Sequence, residues 1–184
     1  GYAFARLDFP GRNLVFYLFL LQLMIVPPVL IVPNLKTVTF FGIYDTLWAV
    51  MAPYWASAFG TFLMRQTFKG IPRDFEDAAV IDGCSLLQLL RYVLIPLAKP
   101  ALIAFSIVSV VAHWNEFLWP LIVIDSPSRR TLTLGLASFV SGAEFGTEWD
   151  LIAAGTLIVS LPLLAGFVAF QRQFVNSFVL SGIK

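Results

Sequence analysis

Long stretches without a charged side chain are the feature that most restricts the fold of this chain. A helix needs about 20 apolar residues to cross the ~30 Å hydrocarbon core of a membrane. Three charge-free gaps reach that length: 23 residues between Arg12 and Lys36, 19 between Asp45 and Arg65, and 21 between Asp150 and Arg172. A fourth gap of 25 residues, between Lys99 and Asp125, contains only Glu116. The sequence therefore predicts about four complete membrane spans.

The composition indicates a membrane protein of the all-α class. Of the 184 residues, 59% are hydrophobic and 12% are charged, whereas a soluble domain carries about 25% charge. So few charges exclude a disordered chain and a nucleic-acid-binding protein. The apolar runs do not alternate with polar residues as barrel strands do. We predict a polytopic bundle of transmembrane helices in contact with membrane lipid, forming a single domain over residues 1–184.

Metal sites and disulfides are excluded by two residue counts. Cys84 is the only cysteine and His113 the only histidine, so a disulfide within the chain and the usual zinc sites with several histidines are ruled out. We expect no cofactor in this chain.

The distribution of basic residues predicts the orientation, because cytoplasmic connections carry more lysine and arginine than external ones. One side receives nine basic residues: Arg6, Arg12, Arg65, Lys69, Arg73, Arg91, Lys99, Arg172 and Lys184. The other side receives three: Lys36, Arg129 and Arg130. We therefore expect the segment 72–99 and both chain ends, including the C-terminus, to face the cytoplasm.

The segment 72–99 has the pattern of two short helices joined by a glycine. Pro72 suits a first helical turn, and the acidic residues that follow stand where the helix dipole favours negative charge. Gly83 is a C-terminal cap, and Ser85 can cap a second helix. Pro96 and Pro100 end or bend that second helix before the next span.

The first of these helices suits docking onto another protein. With Ala78 and Ala79 exposed, its surface can approach a partner's groove closely. The alternative is a solvated connection between spans, since capped helices with an acidic first turn are common.

The same segment resembles the EAA loop of ABC importer permeases, which reads Glu-Ala-Ala, three residues, Gly, nine residues, Ile, any residue, Leu, Pro. Here Asp77-Ala78-Ala79 is followed after three residues by Gly83 and after nine more by Val93-Leu94-Ile95-Pro96. Further residues similar to the maltose-type carbohydrate permeases are Asp82-Gly83, Pro100, Trp114-Asn115-Glu116-Phe117 and the tail segments 171–175 and 181–184.

The resemblance implies a multi-pass permease subunit of the bacterial inner membrane, with residues 72–99 as its cytoplasmic coupling loop. It implies as partners ABC ATPase subunits that bind ATP and Mg²⁺, a second, unlike permease subunit and an extracytoplasmic solute-binding protein. It also implies that about two spans precede Gly1, so that the chain is an N-terminally truncated fragment. No Gly-x-x-x-x-Gly-Lys-Ser/Thr motif is present, so we expect ATP hydrolysis in a separate subunit and no enzyme activity here.

Seven residues are expected to dock onto the ATPase by this resemblance. They are Arg73, Glu76, Asp77, Ala78, Ala79, Asp82 and Gly83. Asp77 stands where the pattern has glutamate, and Glu76 directly precedes it. The two side chains point about 100° apart on a helix, and both are candidates for meeting the partner's basic group.

Asn115 and Glu116 are candidates for the substrate path. An ionisable residue within a span is unfavourable in lipid and by default suggests a functional site. The alternative is that Glu116 lies near the outer interface and fixes helix packing through hydrogen bonds.

The predicted function is a permease subunit that imports a carbohydrate or sugar-like solute by alternating access, driven by ATP hydrolysis in its partner. Import of glycerol 3-phosphate or a related polar solute by the same machinery is an alternative. An ion-coupled secondary transporter is a second alternative, although its ions would need several intramembrane carboxylates and only Glu116 is available. An intramembrane enzyme would need a serine nucleophile in a recognisable motif, which the spans lack.

Overall fold

The computed structural model describes residues 1–141 and 149–182, with side chains described over 1–138 and 149–168. All regular elements in this part of the chain are helical, which confirms the predicted all-α class. The α-helices are α1 (Tyr2–Arg6), α2 (Arg12–Leu21), α3 (Ile31–Phe40), α4 (Leu47–Met51), α5 (Ala58–Gly70), α6 (Asp74–Ile81), α7 (Leu86–Gln88), α8 (Ile95–Trp114), α9 (Leu118–Val123), α10 (Leu132–Ser141) and α11 (Trp149–Gly182).

Among the described residues, two helices are each long and apolar enough to cross a membrane. They are Leu86–Trp114 and Trp149–Val168. Two pairs of consecutive helices reach that length only together: Arg12–Met24 with Pro27–Phe40, and Leu47–Tyr54 with Ala58–Gly70. The structure thus has two spanning helices, or up to four if each broken pair is one span. The predicted number of spans corresponds to the second count.

Local chemistry explains the two breaks. Val26 is extended, as the residue before a proline prefers, and Pro27 opens a short 3-10 segment, Pro27–Leu30. At the second break Ser57 is extended and accepts a hydrogen bond from the Gly60 N–H at 3.0 Å, so it caps the start of α5. A charge-free stretch therefore does not reveal a break, because proline and serine are uncharged.

The helix after the glycine does not end at Pro96 or Pro100. α7 passes through a π-helical turn, Leu89–Leu94, directly into α8. This wider turn precedes Pro96, which has no N–H to donate to the turn before it. The span expected at 100–124 therefore begins at Leu86 instead and ends at Trp114.

The chain divides into two compact units. Unit 1 comprises Gly1–Ile25, Ser57–Val108 and Arg172–Lys184, and unit 2 comprises Val26–Ala56 and Ser109–Gln171. The apolar cluster of unit 1 consists of Ala5, Phe68, Ala79, Leu89, Leu94 and Ala98. The apolar cluster of unit 2 consists of Val38, Ala49, Trp119, Val123, Ile124 and Leu134. In unit 2 the Trp119 indole N–H donates to the Ala49 carbonyl at 3.1 Å, which satisfies the polar atom of this buried ring.

Candidate functional site

The candidate site is built on α6 (Asp74–Ile81), which we call the loop helix. Its first turn carries Asp74, Glu76 and Asp77, as predicted. At its end the Gly83 N–H donates to the Val80 carbonyl at 3.0 Å, and the Cys84 N–H donates to the Ala79 carbonyl at 2.9 Å. These two bonds form a Schellman motif, which requires the left-handed φ of +79° found at Gly83. The predicted glycine cap is confirmed.

Ser85 caps the next helix, which confirms a second prediction. The Ser85 N–H donates to Gln88 Oε1 at 2.8 Å, and the Gln88 N–H donates to Ser85 Oγ at 3.5 Å. Together they form a capping box. The loop helix and α7 are therefore joined by a short turn with both helix ends capped.

The loop helix has one face turned outward and one turned inward. Five of the seven expected docking residues are exposed: Arg73, Asp77, Ala78, Asp82 and Gly83. Ala79 is only 5% exposed and packs in the apolar cluster of unit 1. The expected exposure of Ala79 is therefore wrong, because its methyl group faces the body of its own unit.

Glu76 also faces inward. Its Oε1 lies 2.5 Å from Arg6 Nε, and the two side chains are only 14% and 8% exposed. The contact has the geometry of an ion pair and not of an aligned hydrogen bond. The structure thus separates two neighbouring carboxylates, since Glu76 pairs within unit 1 while Asp77 is exposed.

Sequence reasoning missed the role of Arg6. From the sequence, Arg6 was only one of the basic residues on the predicted cytoplasmic side. It lies 70 positions before Glu76, and no periodicity or spacing pairs residues so far apart.

Large apolar side chains near Asp77 in the sequence are also exposed. Phe75, Val80 and Ile81 are all exposed, as is Leu87 in the helix that follows. Exposed apolar side chains next to charged ones are typical of a protein–protein contact. Their exposure was not predicted, because apolar residues in a membrane protein are equally consistent with a helix face that packs inside the protein.

A second polar cluster joins two loops of unit 2. Asp45 Oδ1 accepts hydrogen bonds from the N–H groups of Asp125 and Ser126, each at 3.0 Å. The Ser126 hydroxyl donates to Asp45 Oδ2, and Arg129 lies beside the same carboxylate. The hydroxyl and amide bonds from Ser126 hold the pKa of Asp45 below its usual value. The Tyr44 hydroxyl donates to Asp125 Oδ2 at 2.9 Å, and this bond raises the pKa of Tyr44.

Asn115 and Glu116 lie in the break between α8 and α9. Glu116 Oε1 accepts a hydrogen bond from the Trp119 N–H at 3.3 Å, and the Glu116 carbonyl accepts one from the Thr133 hydroxyl at 3.1 Å. The Asn115 amide donates to the Val111 carbonyl of the preceding helix, α8, at 2.8 Å. These contacts favour the packing interpretation of Glu116. A role of either residue in the substrate path stays a prediction.

Two other sequence-based expectations concern metal binding and the tail of the chain. Among the residues that the structure describes, no group of three or more His, Cys, Asp and Glu side chains is arranged to hold a metal ion. The side chains of the tail segments 171–175 and 181–184 lie outside the described residues.

The helical fold, with its candidate membrane spans, and the capped loop helix together define a class, the polytopic helical membrane proteins. The chain matches the crystal structure of a bacterial ABC transporter involved in the import of the acidic polysaccharide alginate, with a TM-score of 0.82 over 94% of this chain and 65% of that chain. At 23% sequence identity this likeness establishes the fold alone.

The profile of the family described as binding-protein-dependent transport system inner membrane component matches residues 1–178, and the chain belongs to this family. It is 35% identical, over its full length, to the arabinooligosaccharides transport system permease protein AraQ of Bacillus subtilis (strain 168). It is 33% identical, over 97% of its length, to the sn-glycerol-3-phosphate transport system permease protein UgpE of Pectobacterium atrosepticum. The chain spans 65% and 64% of the length of these two relatives. The family predicted from the loop motif is confirmed, and with it a location in the membrane.

Proposed function

We propose that the chain forms part of a permease subunit of a binding-protein-dependent ABC importer and that its solute is a carbohydrate or a sugar-like molecule. Family membership supports the transport role. The names of two relatives, one for arabinooligosaccharides and one for sn-glycerol-3-phosphate, support a polyhydroxylated solute. Glycerol 3-phosphate is the second candidate, supported by the latter relative.

The loop helix docks onto a separate ABC ATPase subunit, in which ATP and Mg²⁺ bind. The observation that carries this proposal is the outward position of Asp77 next to the inward, paired Glu76. Asp77 is therefore the carboxylate that meets a basic group of the ATPase, because Glu76 already has Arg6 as its partner. Arg73, Ala78, Asp82 and Gly83 border the contact, and the exposed apolar side chains fill the partner's cleft.

The helix that follows the loop helix carries the movement into the membrane. Closure of the ATPase pair displaces the loop helix, and the turn at residues 82–85 passes the displacement to Leu86–Trp114, a continuous spanning helix. Within the described residues 74–114, only the turn at residues 82–85 separates the loop helix from this spanning helix. A tilt of this helix switches the permease between inward and outward access. A second, unlike permease subunit completes the pathway.

The orientation follows from the same assignment. The loop helix and the C-terminus face the cytoplasm, and the Asp45 cluster faces the side from which an extracytoplasmic solute-binding protein delivers the solute. Asn115, exposed at the end of α8, borders the substrate path, with Glu116 held behind it by Trp119.

Site-specific cross-linking in the assembled importer tests the docking assignment. In a Cys84→Ala background, an Asp77→Cys variant should cross-link to an ABC ATPase identified by mass spectrometry. Ala79→Cys, two positions along and buried, is the matched control and should not. If neither Asp77→Cys nor Ala79→Cys forms a cross-link to an ATPase, the proposal is overturned.

Uptake into membrane vesicles tests the energy source and the solute. Uptake of a labelled arabinooligosaccharide should require ATP and persist when a protonophore removes the proton gradient. Uptake of labelled glycerol 3-phosphate instead would select the second candidate. Uptake that needs the gradient and not ATP would favour a secondary transporter.

A further inference from the structure

We propose that Arg6 is a positioning residue that fixes the loop helix to α1, so that displacement of the loop helix by the ATPase also moves the N-terminal helices of unit 1. This inference rests on the proposed function. It adds a second route of transmission, independent of the spanning helix Leu86–Trp114.

The Arg6 guanidinium holds the start of the loop helix at two points. One nitrogen, Nη2, donates a hydrogen bond to the Ile71 carbonyl, and Nε forms the ion pair with Glu76. Ile71 precedes the loop helix and Glu76 lies in its first turn. The Ile71 hydrogen bond is directional, and the ion pair adds a second point of attachment on the same planar guanidinium. The start of the loop helix is thus held against α1 at two points.

A second arginine fixes α1 to α5 within unit 1. Arg65, in α5, is buried, and its Nε donates a hydrogen bond to the Phe4 carbonyl at 3.1 Å. Its guanidinium carbon also lies 3.9 Å from the centre of the Phe16 ring, in α2. α1 is therefore bound to the loop helix by Arg6 and to α5 by Arg65, and Arg65 in turn contacts α2.

The burial of the Arg6–Glu76 pair argues for a positioning role. A buried ion pair often stabilises a fold no better than apolar side chains of similar size, because both charges lose their hydration. An apolar contact here would stabilise unit 1 equally well but would let the loop helix slide. The Ile71 hydrogen bond instead defines a direction and the ion pair adds a second point of attachment, which is what transmission of a displacement requires.

The test compares single substitutions with a charge exchange in the assembled importer. Arg6→Ala and Glu76→Ala should each lower the solute imported per ATP hydrolysed by about tenfold, within the range that positions between coupled sites produce. The exchange Arg6→Glu with Glu76→Arg should recover part of that loss. Arg6→Lys keeps the positive charge but loses the planar guanidinium, so the solute imported per ATP hydrolysed should be intermediate. This variant keeps the proposal testable if the exchanged protein does not fold.

An exposed ion pair nearby supplies the matched control. Asp8 and Arg12 are 2.5 Å apart, but the Asp8 side chain is 85% exposed. The exchange Asp8→Arg with Arg12→Asp should leave the amount of solute imported per ATP hydrolysed unchanged. Normal coupling in Arg6→Ala, or an exchange no better than the single variants, would overturn the positioning role.

The Asp77→Cys cross-link distinguishes this failure from failure of the proposed function. In the Arg6 variants the cross-link to the ATPase should still form, because the docking face is unchanged. Loss of the cross-link only in the Arg6 variants would show that Arg6 supports docking and does not transmit movement, which overturns the inference alone. Absence of the cross-link in the Asp77→Cys protein that keeps Arg6 would overturn both proposals.

Discussion

Ser126 is bonded to Asp45 twice: its amide nitrogen lies 3.0 Å from Asp45 Oδ1 and its hydroxyl oxygen 2.5 Å from Oδ2. Asp45 also has a φ of +53°, the left-handed region that aspartate and asparagine tolerate better than most residues. One side chain thus joins the loop before α4 to the loop after α9, and its own backbone conformation depends on being aspartate or a close relative.

Substitutions at Asp45 should separate these two contributions. Asp45→Asn keeps one acceptor oxygen and the tolerance for a positive φ, whereas Asp45→Ala loses both. We expect the thermal unfolding temperature of the purified protein to fall in the order wild type, Asn, Ala. Asp8→Ala, which removes an exposed carboxylate of unit 1, serves as the control. Equal unfolding temperatures for the two Asp45 variants would contradict this interpretation of the loop.

The Asp45 contacts should weaken in acid. The pKa of Asp45 is lower in the folded protein than its usual value of 3.8, and the largest cause is the hydrogen bond from the Ser126 hydroxyl. The carboxylate therefore contributes its full stabilisation above pH 3.8 and loses it as the pH falls through the lowered folded pKa. Hydrogen exchange at the Asp125 and Ser126 amides should stay slow down to that range and then accelerate. An identical acid response in Asp45→Asn would exclude Asp45 as the titrating group.

The glycine after the loop helix should tolerate asparagine better than alanine. A Cβ at Gly83 would meet no atom within 4 Å, so the only obstacle is its φ of +79°. Alanine in this conformation costs about 1 kcal/mol, and asparagine costs less. Thermal unfolding should rank Gly83→Asn above Gly83→Ala. Gly70→Ala, in equally open space without a positive φ, is the matched control. A Gly83→Ala protein as stable as the asparagine variant would contradict the assigned cap.

Substitutions at Glu116 should separate packing from solute contact. Glu116→Gln keeps an acceptor for the Trp119 N–H, whereas Glu116→Ala leaves it unpaired and should lower the free energy of unfolding by about 1–2 kcal/mol. We expect near-normal uptake from the glutamine variant. Asn115→Ala should change uptake without a comparable loss of stability. Loss of uptake by a stable Glu116→Gln protein would instead assign the carboxylate to the solute path.

Breaking the Arg6–Glu76 pair should also be visible in stability. Removing one partner of a buried ion pair leaves the other charge unpaired, which typically costs about 3 kcal/mol. Arg6→Ala should therefore lower the unfolding temperature more than Arg12→Ala, whose partner Asp8 is exposed. Similar losses from the two alanine variants would show that the Arg6 pair is no better shielded from water than the surface pair.

The class, the family and the helix caps could all be predicted from the amino-acid sequence alone. Apolar content adds up along the chain, so charge gaps reveal a membrane protein without any knowledge of packing. The loop motif and the caps at Gly83 and Ser85 act over a few neighbouring residues, and their spacing is visible in the linear sequence.

The direction in which each residue of that motif faces depends on tertiary packing. Glu76 and Asp77 are adjacent and chemically alike, but one pairs with Arg6, 70 positions away, and the other is exposed. The same packing buries Ala79 and leaves Ala78 outside. Such contacts depend on how helices distant along the chain come together, and neither periodicity nor motif spacing carries that information.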